Sequence, residues 1–334
     1  MGNYLAPLKK WLYINKSTNM LDIILLLLLL FIVFFQFFLF YRSRQLSIPS
    51  YRIAVIGFPR SGKTTLITVL LRHILNQERR DNVSIVLRGS STIDKFNDDY
   101  ARLERCEPLG STTDTTDKGL FTYRFDMEKG RWFKQRYKID VGDLSGEDSE
   151  KFSKDFNNMF YRTHYFKWVM EADAFMIVFD IASLLQDEKT ANLSVIDFTN
   201  AIKSAWQHLA ESHYEDKKNL KNKPVVLVFA KFDLFGILDK TIVSGDVVSK
   251  KVRQLGFDEI PETAEIEGDK LQGGMTRTIR HFSELIRYFE NESNQFSIVF
   301  ASSFSLSGDS DKSERLGMKE LTDKILPAKL YWHS

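Results

Sequence analysis

Residues 57–64 read Gly-Phe-Pro-Arg-Ser-Gly-Lys-Thr, so Gly57 and Gly62 stand at the spacing Gly-x-x-x-x-Gly-Lys-[Ser/Thr]. That pattern holds phosphate. Backbone N–H groups between the two glycines can curl round the α- and β-phosphates of a nucleotide, and a lysine placed as Lys63 is reaches the β- and γ-oxygens. The hydroxyl of Thr64 is then placed for Mg2+, and Arg60, Ser61 and Thr65 complete the run expected to line the phosphates. The flanks agree with the motif. Ile53, Val55 and Ile56 form a β-branched run ahead of Gly57, and 64–77 has helical apolar spacing, so the loop opens onto a helix N-terminus whose dipole favours anions.

Two further strand ends carry carboxylates. Residues 138–147, Lys-Ile-Asp-Val-Gly-Asp-Leu-Ser-Gly-Glu, run from an apolar-leaning strand into Asp-x-x-Gly. A carboxylate at the C-terminal end of a strand beside the phosphate-loop strand lies near the metal, which makes Asp143 a metal-ligand candidate. Gly146 can bring its N–H to the γ-phosphate with no side chain in the way. Asp140 competes with Asp143 for the metal, and the glycine spacing selects Asp143. Residues 225–233 form an apolar strand ending in Lys231-Phe232-Asp233. Asp233 can accept hydrogen bonds from N1–H and the exocyclic amine of guanine, a pair of donors that adenine lacks, while Lys231 can lay its aliphatic stem along the base. Lysine and aspartate are also ordinary turn residues after a strand. On that reading the loop at 57–64 would serve an ATPase or another phosphotransferase equally well.

Together these motifs resemble the P-loop GTPases of the Ras-like, translation-factor-related class, over residues 51 to about 305. By that resemblance Gly57–Thr64 is the first GTPase motif, Asp143–Gly146 the third, Ala230–Asp233 the fourth, and Ala301-Ser302-Ser303 the fifth, which caps the base. It implies GTP/GDP and Mg2+ as the ligands. It also implies a second motif before the next strand, a threonine that binds Mg2+ and senses the γ-phosphate. Within Leu-Gly-Ser-Thr-Thr-Asp-Thr-Thr-Asp at 109–117, Thr113 is the first choice, from its likeness to Gly-Thr-Thr-x-Asp versions of this switch, and Thr116 is the alternative. Lys63, Thr113, Gly146 and Glu147 are the expected catalytic set.

Three positions depart from the family pattern. Ala230 stands where Asn or Thr is usual, so guanine selectivity rests on Asp233 and a loop tie is expected to be lost. Glu147 stands where many relatives carry a water-orienting Gln; a carboxylate can only accept from water and repels the γ-phosphate. Slow turnover is expected unless a partner supplies an arginine, and a nucleotide-bound scaffold that does not hydrolyse stays open. Arg60 occupies the place where potassium-using relatives carry Asn, so potassium activation is not expected.

These residues need a sheet whose strands end together. Leu120–Phe125 and Trp132–Val141 flank Glu128-Lys129-Gly130 and read as an antiparallel hairpin, whereas Ala174–Ile181, Val225–Phe229 and Phe296–Ala301 are short apolar runs suited to parallel strands buried on both faces. Helical stretches near 151–171, 194–212 and 276–291 separate them. The expected fold is α/β: a P-loop NTPase with a mostly parallel, doubly wound sheet containing one antiparallel hairpin strand, preceded by a single transmembrane helix. Segments near 78–118, 181–223 and 234–293 exceed a minimal Ras-like domain and read as insertions within a GTPase domain spanning 51–334.

Composition narrows the partners. The chain has 334 residues, 43% hydrophobic and 27% charged, with a formal net charge of +2 and no basic stripe, so nucleic acid is not implied. A lone cysteine, Cys106, excludes an intramolecular disulfide. Residues 23–41 hold one polar side chain, Gln36, and would span roughly 28 Å as a helix, close to a bilayer core. The expected order is therefore a tail at 1–20 suited to an interface, a membrane helix at 21–41 and a linker at 42–50. Lys9, Lys10 and Lys16 before the run balance Arg42, Arg44 and Arg52 after it, so the positive-inside rule does not orient it. Cytosolic supplies of GTP and Mg2+ do, placing the GTPase domain on the cytoplasmic side of a single span. Within the class the anchor and the insertion before the switch threonine most resemble double-GTPase-like proteins, with the beta subunit of the signal recognition particle receptor as an architectural analogue. A switch that recruits a protein effector or activating partner to the lipid bilayer is the expected function.

Overall fold

The computed structural model describes residues 20–44, 48–58, 60–77, 83–105, 107, 109, 120–129, 135–144, 168–185, 188–212, 217–232, 234, 270–303 and 315–327. The chain divides into two compact units, Met1–Pro49 and Ser50–Ser334. In the first, helix α1 (Met20–Arg44) carries an apolar run with no polar stripe: the large apolar side chains between Ile23 and Phe38 are all exposed. The helix occupies the place of the expected span over 21–41, but the span is not established by the structure. Over the described residues no helix is long and apolar enough to cross a membrane.

The second unit is built on one seven-stranded sheet. Its strands are β1 (Ser50–Gly57), β2 (Val83–Leu87), β3 (Leu120–Lys129), β4 (Gln135–Leu144), β5 (Ala174–Asp180), β6 (Val225–Ala230) and β7 (Phe296–Phe300). They lie in the order β2-β3-β4-β1-β5-β6-β7. β3 runs antiparallel to both β2 and β4, and the other pairs are parallel. This mixed, mostly parallel sheet fits a P-loop GTPase fold, with β3 as the single reversed strand.

The sheet alternates because strand side chains do. Along β5 every side chain but the last is buried; Phe175, Ile177 and Phe179 enter one core while Ala174, Met176 and Val178 enter the other. Helix α2 (Lys63–Gln77) covers the second face with Leu66, Ile67, Leu70 and Ile74, joined there by α3 (Ser90–Glu104) and α8 (Met318–Ile325). The opposite face is covered by α4 (Glu188–Ser212), through Val195, Phe198, Ile202 and Trp206, and by α7 (Ser283–Glu292), through Leu285 and Phe289. Further helices are α5 (Lys217–Lys221) and α6 (Lys270–His281), and a 3-10 turn follows β5 at Ile181–Leu185. With helices on both faces the sheet is doubly wound.

Several boundaries differ from the sequence reading. The hairpin is longer than expected, pairing Leu120 with Leu144 through to Lys129 with Gln135. Its alternation continues past Phe125, with Met127 buried while Asp126 and Glu128 keep partial solvent contact. Residues 78–118, read as a variable segment, contain β2 and α3, and α3 buries Thr92, Phe96, Asp99 and Leu103 along one stripe. The helical stretch at 276–291 is two helices, α6 and α7, meeting at Phe282. That ring is fully buried, 4.5 Å from the Phe179 centroid and 4.9 Å from that of Phe229. Phe282→Ala is expected to cost about 3–5 kcal/mol in urea unfolding; a loss under about 1 kcal/mol would show that the ring does not anchor this face.

Candidate functional site

The phosphate loop is shaped by what its backbone meets. β1 ends on Gly57, where a Cβ would lie 2.5 Å from the Val178 carbonyl oxygen of the neighbouring strand, so no larger residue fits. Gly62 has φ 83° and opens α2, whose first turn is closed by the Leu66 N–H donating to the Gly62 carbonyl at 2.8 Å. Arg60 is exposed and also left-handed, with φ 60°. Ser61 is buried and its hydroxyl has no hydrogen-bond partner among the described residues. Thr65 is half-buried on α2.

Lys63 lies folded over this loop: its ammonium donates to the carbonyls of Gly57 at 2.9 Å and Phe58 at 2.7 Å. One residue on, the Thr64 hydroxyl donates to Oδ2 of Asp143 at 2.8 Å. The parallel register of β1 and β4 brings them together, since Ala54 lies opposite Gly142 and both strands end at the same edge of the sheet. Asp143 is fully buried; desolvation raises its pKa to about 6, against the lowering effects of the Thr64 hydrogen bond and the Lys63 charge. Burial likewise lowers Lys63 to about 8, opposed by the charge of Asp143. At neutral pH both are therefore charged, and each is the other's compensation for leaving water.

A second part of the same edge is built from the ends of β5, β6 and β7. Ala230 closes β6 and is buried, and Lys231 follows in the left-handed region with φ 60°. Its ammonium pairs with Oδ2 of Asp180 at 2.5 Å and donates to the Arg60 carbonyl at 3.2 Å. A Cβ on Gly62 would lie 3.6 Å from the Lys231 Cε, so the lysine stem crosses above the phosphate loop. The tie expected to be lost at Ala230 is thus matched by one from Lys231. Asp180 is a residue that sequence reasoning missed. It sits opposite Ala230 in the β5–β6 register, and its Oδ1 accepts the Ala182 N–H at 2.9 Å. A strand ending in aspartate beside the phosphate-loop strand was its one signal. The fourth and fifth motifs meet through the Phe232 N–H donating to the Ala301 carbonyl at 3.0 Å, and Ser302 is fully buried, its N–H donating to Leu316 at 3.1 Å.

The structure therefore brings Gly57, Arg60, Ser61, Gly62, Lys63, Thr64, Asp143 and Lys231 to one edge of the sheet. Thr113, Thr116, Gly146, Glu147 and Asp233 lie outside the described residues. The residues present fit a magnesium-bound nucleotide: a hydroxyl and a carboxylate, both hard oxygen donors, stand beside a loop of left-handed backbone holding a buried hydroxyl and an ammonium. A family model, Double-GTPase 2, matches residues 51–289. The chain belongs to the Double-GTPase 2 family. Membership makes this a GTPase-family domain, with GTP/GDP and ordinarily Mg2+ as its ligands. No curated protein matches the chain.

A proton on Asp143 excludes a cation from the same oxygens. The Mg2+ needed to retain a fluorescent GDP is accordingly expected to rise by about tenfold per pH unit below about 6. A requirement that stays flat between about pH 5 and 7 would remove Asp143 from the metal site.

Proposed function

We propose that this protein is a membrane-anchored GTP-binding switch that hydrolyses GTP slowly. The observation that carries the nucleotide reading is the Thr64–Asp143 hydrogen bond at the root of the phosphate loop, with Lys63 packed over the loop carbonyls. On triphosphate binding Lys63 exchanges those carbonyls for the β- and γ-oxygens, and the loop N–H groups take the remaining phosphate charge. Thr64 and Asp143 would hold Mg2+, with Thr113, or Thr116 in its place, as the switch ligand. When bound, the metal would neutralise developing charge on the phosphates. Hydrolysis adds water to the γ-phosphorus and breaks its bond to the bridging oxygen, which leaves with GDP. Glu147 can accept from that water but repels the phosphate it approaches, which supports slow turnover without a partner. Gly146 is the residue through which loss of the γ-phosphate releases the switch loop.

Guanine selectivity is assigned to Asp233, with Lys231 along the base and Ser302 capping it. In competition with a labelled GTP analogue, ATP is expected to displace at least about a hundredfold less well than GTP, and Asp233→Asn to shift preference towards xanthine nucleotides. Equal displacement by ATP would instead support an ATPase or another phosphotransferase.

The anchor reading rests on 23–41, where Gln36 interrupts an otherwise apolar run, and on the exposure of its described side chains. The GTPase domain faces the cytoplasm, where its nucleotide is supplied, and recruits a protein effector there. The full chain is expected to stay with the membrane pellet after alkaline carbonate extraction, while a chain lacking residues 1–44 is released. Release of both would end the anchor reading and leave the nucleotide reading standing.

A further inference from the structure

The Asp180 carboxylate stands at the functional edge but belongs to none of the motifs, and hydrolysis as described above makes no use of it. Gly57, where β1 ends, lies opposite Val178 on β5, so Asp180 is two residues beyond the last pair of that ladder. On the other side it lies opposite Ala230, the last residue of β6, whose side chain has no hydrogen bond to give.

Both oxygens of the carboxylate are occupied, each by a different task. Oδ1 accepts the Ala182 N–H at 2.9 Å, and the Asp180 carbonyl accepts the Ser183 hydroxyl at 2.8 Å. Those bonds cap the 3-10 turn at Ile181–Leu185, and for capping an asparagine serves as well as an aspartate. Oδ2 instead pairs with the Lys231 ammonium at 2.5 Å, and the same ammonium donates to the Arg60 carbonyl at 3.2 Å. The Lys231 and Asp180 side chains are 14% and 24% exposed, which sets the pair apart from surface ion pairs screened by bulk solvent.

Capping explains one oxygen, and the negative charge answers to the lysine. A lysine carries its charge on a flexible stem, so an ammonium without a fixed counter-charge keeps many orientations. Here the counter-charge is fixed, because the Ala182 N–H holds the carboxylate that holds the ammonium. The lysine is left on the Arg60 carbonyl, with its Cε 3.6 Å from where a Cβ on Gly62 would lie.

We propose that Asp180 is a positioning residue for nucleotide binding, which acts by holding the Lys231 ammonium on the Arg60 carbonyl so that the lysine lies across the phosphate loop. This rests on the reading of the site as one for a guanine nucleotide, and it adds a residue that sets how long that nucleotide stays. The bridge includes neither Thr64 nor Asp143, so its contribution is the same with and without the metal.

The test uses the full chain loaded with a fluorescent GDP, whose dissociation is followed in Mg2+ and in EDTA. Asp180→Asn keeps an oxygen for the Ala182 N–H and puts an amide NH2, which cannot accept from an ammonium, in place of Oδ2. It is expected to speed dissociation by about tenfold or more in both conditions, with the urea unfolding midpoint unchanged. In a Lys231→Met background the same substitution is expected to change the rate by less than about twofold, because the group it acts through is gone. A rate within about twofold of the unaltered protein would overturn the inference. So would an equal effect in both backgrounds, which would leave Asp180 a cap, or an effect confined to Mg2+, which would assign it to the metal side. Failure of the guanine reading looks different: the unaltered protein then retains no GDP in either condition, and the inference falls with it.

Discussion

Everything at the functional edge depends on one juxtaposition: an ammonium at the start of α2 and a carboxylate at the end of β4, both withdrawn from water, with the Thr64 hydroxyl bonded to the carboxylate. Lys63 and Asp143 would each be costly alone, and the sheet makes them affordable by fixing their separation. The register of β1 against β4 sets where Asp143 arrives, and the close approach of Gly57 to Val178 sets where the chain turns towards Lys63. The two hydrophobic cores serve this geometry. Alternate residues of β5 grip the helices on each face, so the strand ends can differ in chemistry while the strands themselves stay apolar. In such a sheet polar residues collect where the strands stop, and parallel strands stop together.

What could be read from the sequence was local in the chain. The loop at 57–64 carries its own signature, because the residues that bind phosphate are neighbours, and Asp143 could be chosen over Asp140 because the deciding glycine lies three residues away. The apolar runs that became β5 and β6 were equally plain, since burial on both faces leaves no polar interruption, whereas β7 carries Ser297 and buries only Val299 fully, against the expectation of a strand covered on both faces. Residues that matter through a cross-strand or helix-to-strand partner were not legible. Asp180 acquires its place from lying opposite Ala230, and register is not written in spacing along one strand. Asp99 looks like any helical aspartate until α3 is laid against β3 and the Tyr123 hydroxyl reaches it. The same limit explains why no strand or helix was read within the insertion at 78–118. β2 is five residues long and gains its regularity from pairing with β3, while α3 mixes its apolar stripe with a charged pair that weakens the helical signal.

The inserted unit and the phosphate loop share one design problem, keeping buried polar groups satisfied. Two solutions are visible. On the metal side the groups satisfy each other, carboxylate to hydroxyl and ammonium to loop carbonyl. Further in, Asp99 is satisfied twice, by Lys95 and by Tyr123, which leaves that corner closed to solvent and fixed in direction.

The bridge from Lys231 to the Arg60 carbonyl has a further consequence. Arg60 and Lys231 are the two non-glycine residues, among those described, with left-handed backbone, and each such residue costs roughly 1–2 kcal/mol. Their strain is stored at a single joint, because one donates to the other. A nucleotide arriving here meets a loop whose curvature is already set, so little of its binding energy is consumed in ordering the cradle. The phosphate loop and the end of β6 are pieces of chain joined by this bond, and they cannot relax independently. Losing grip at one end slackens the other.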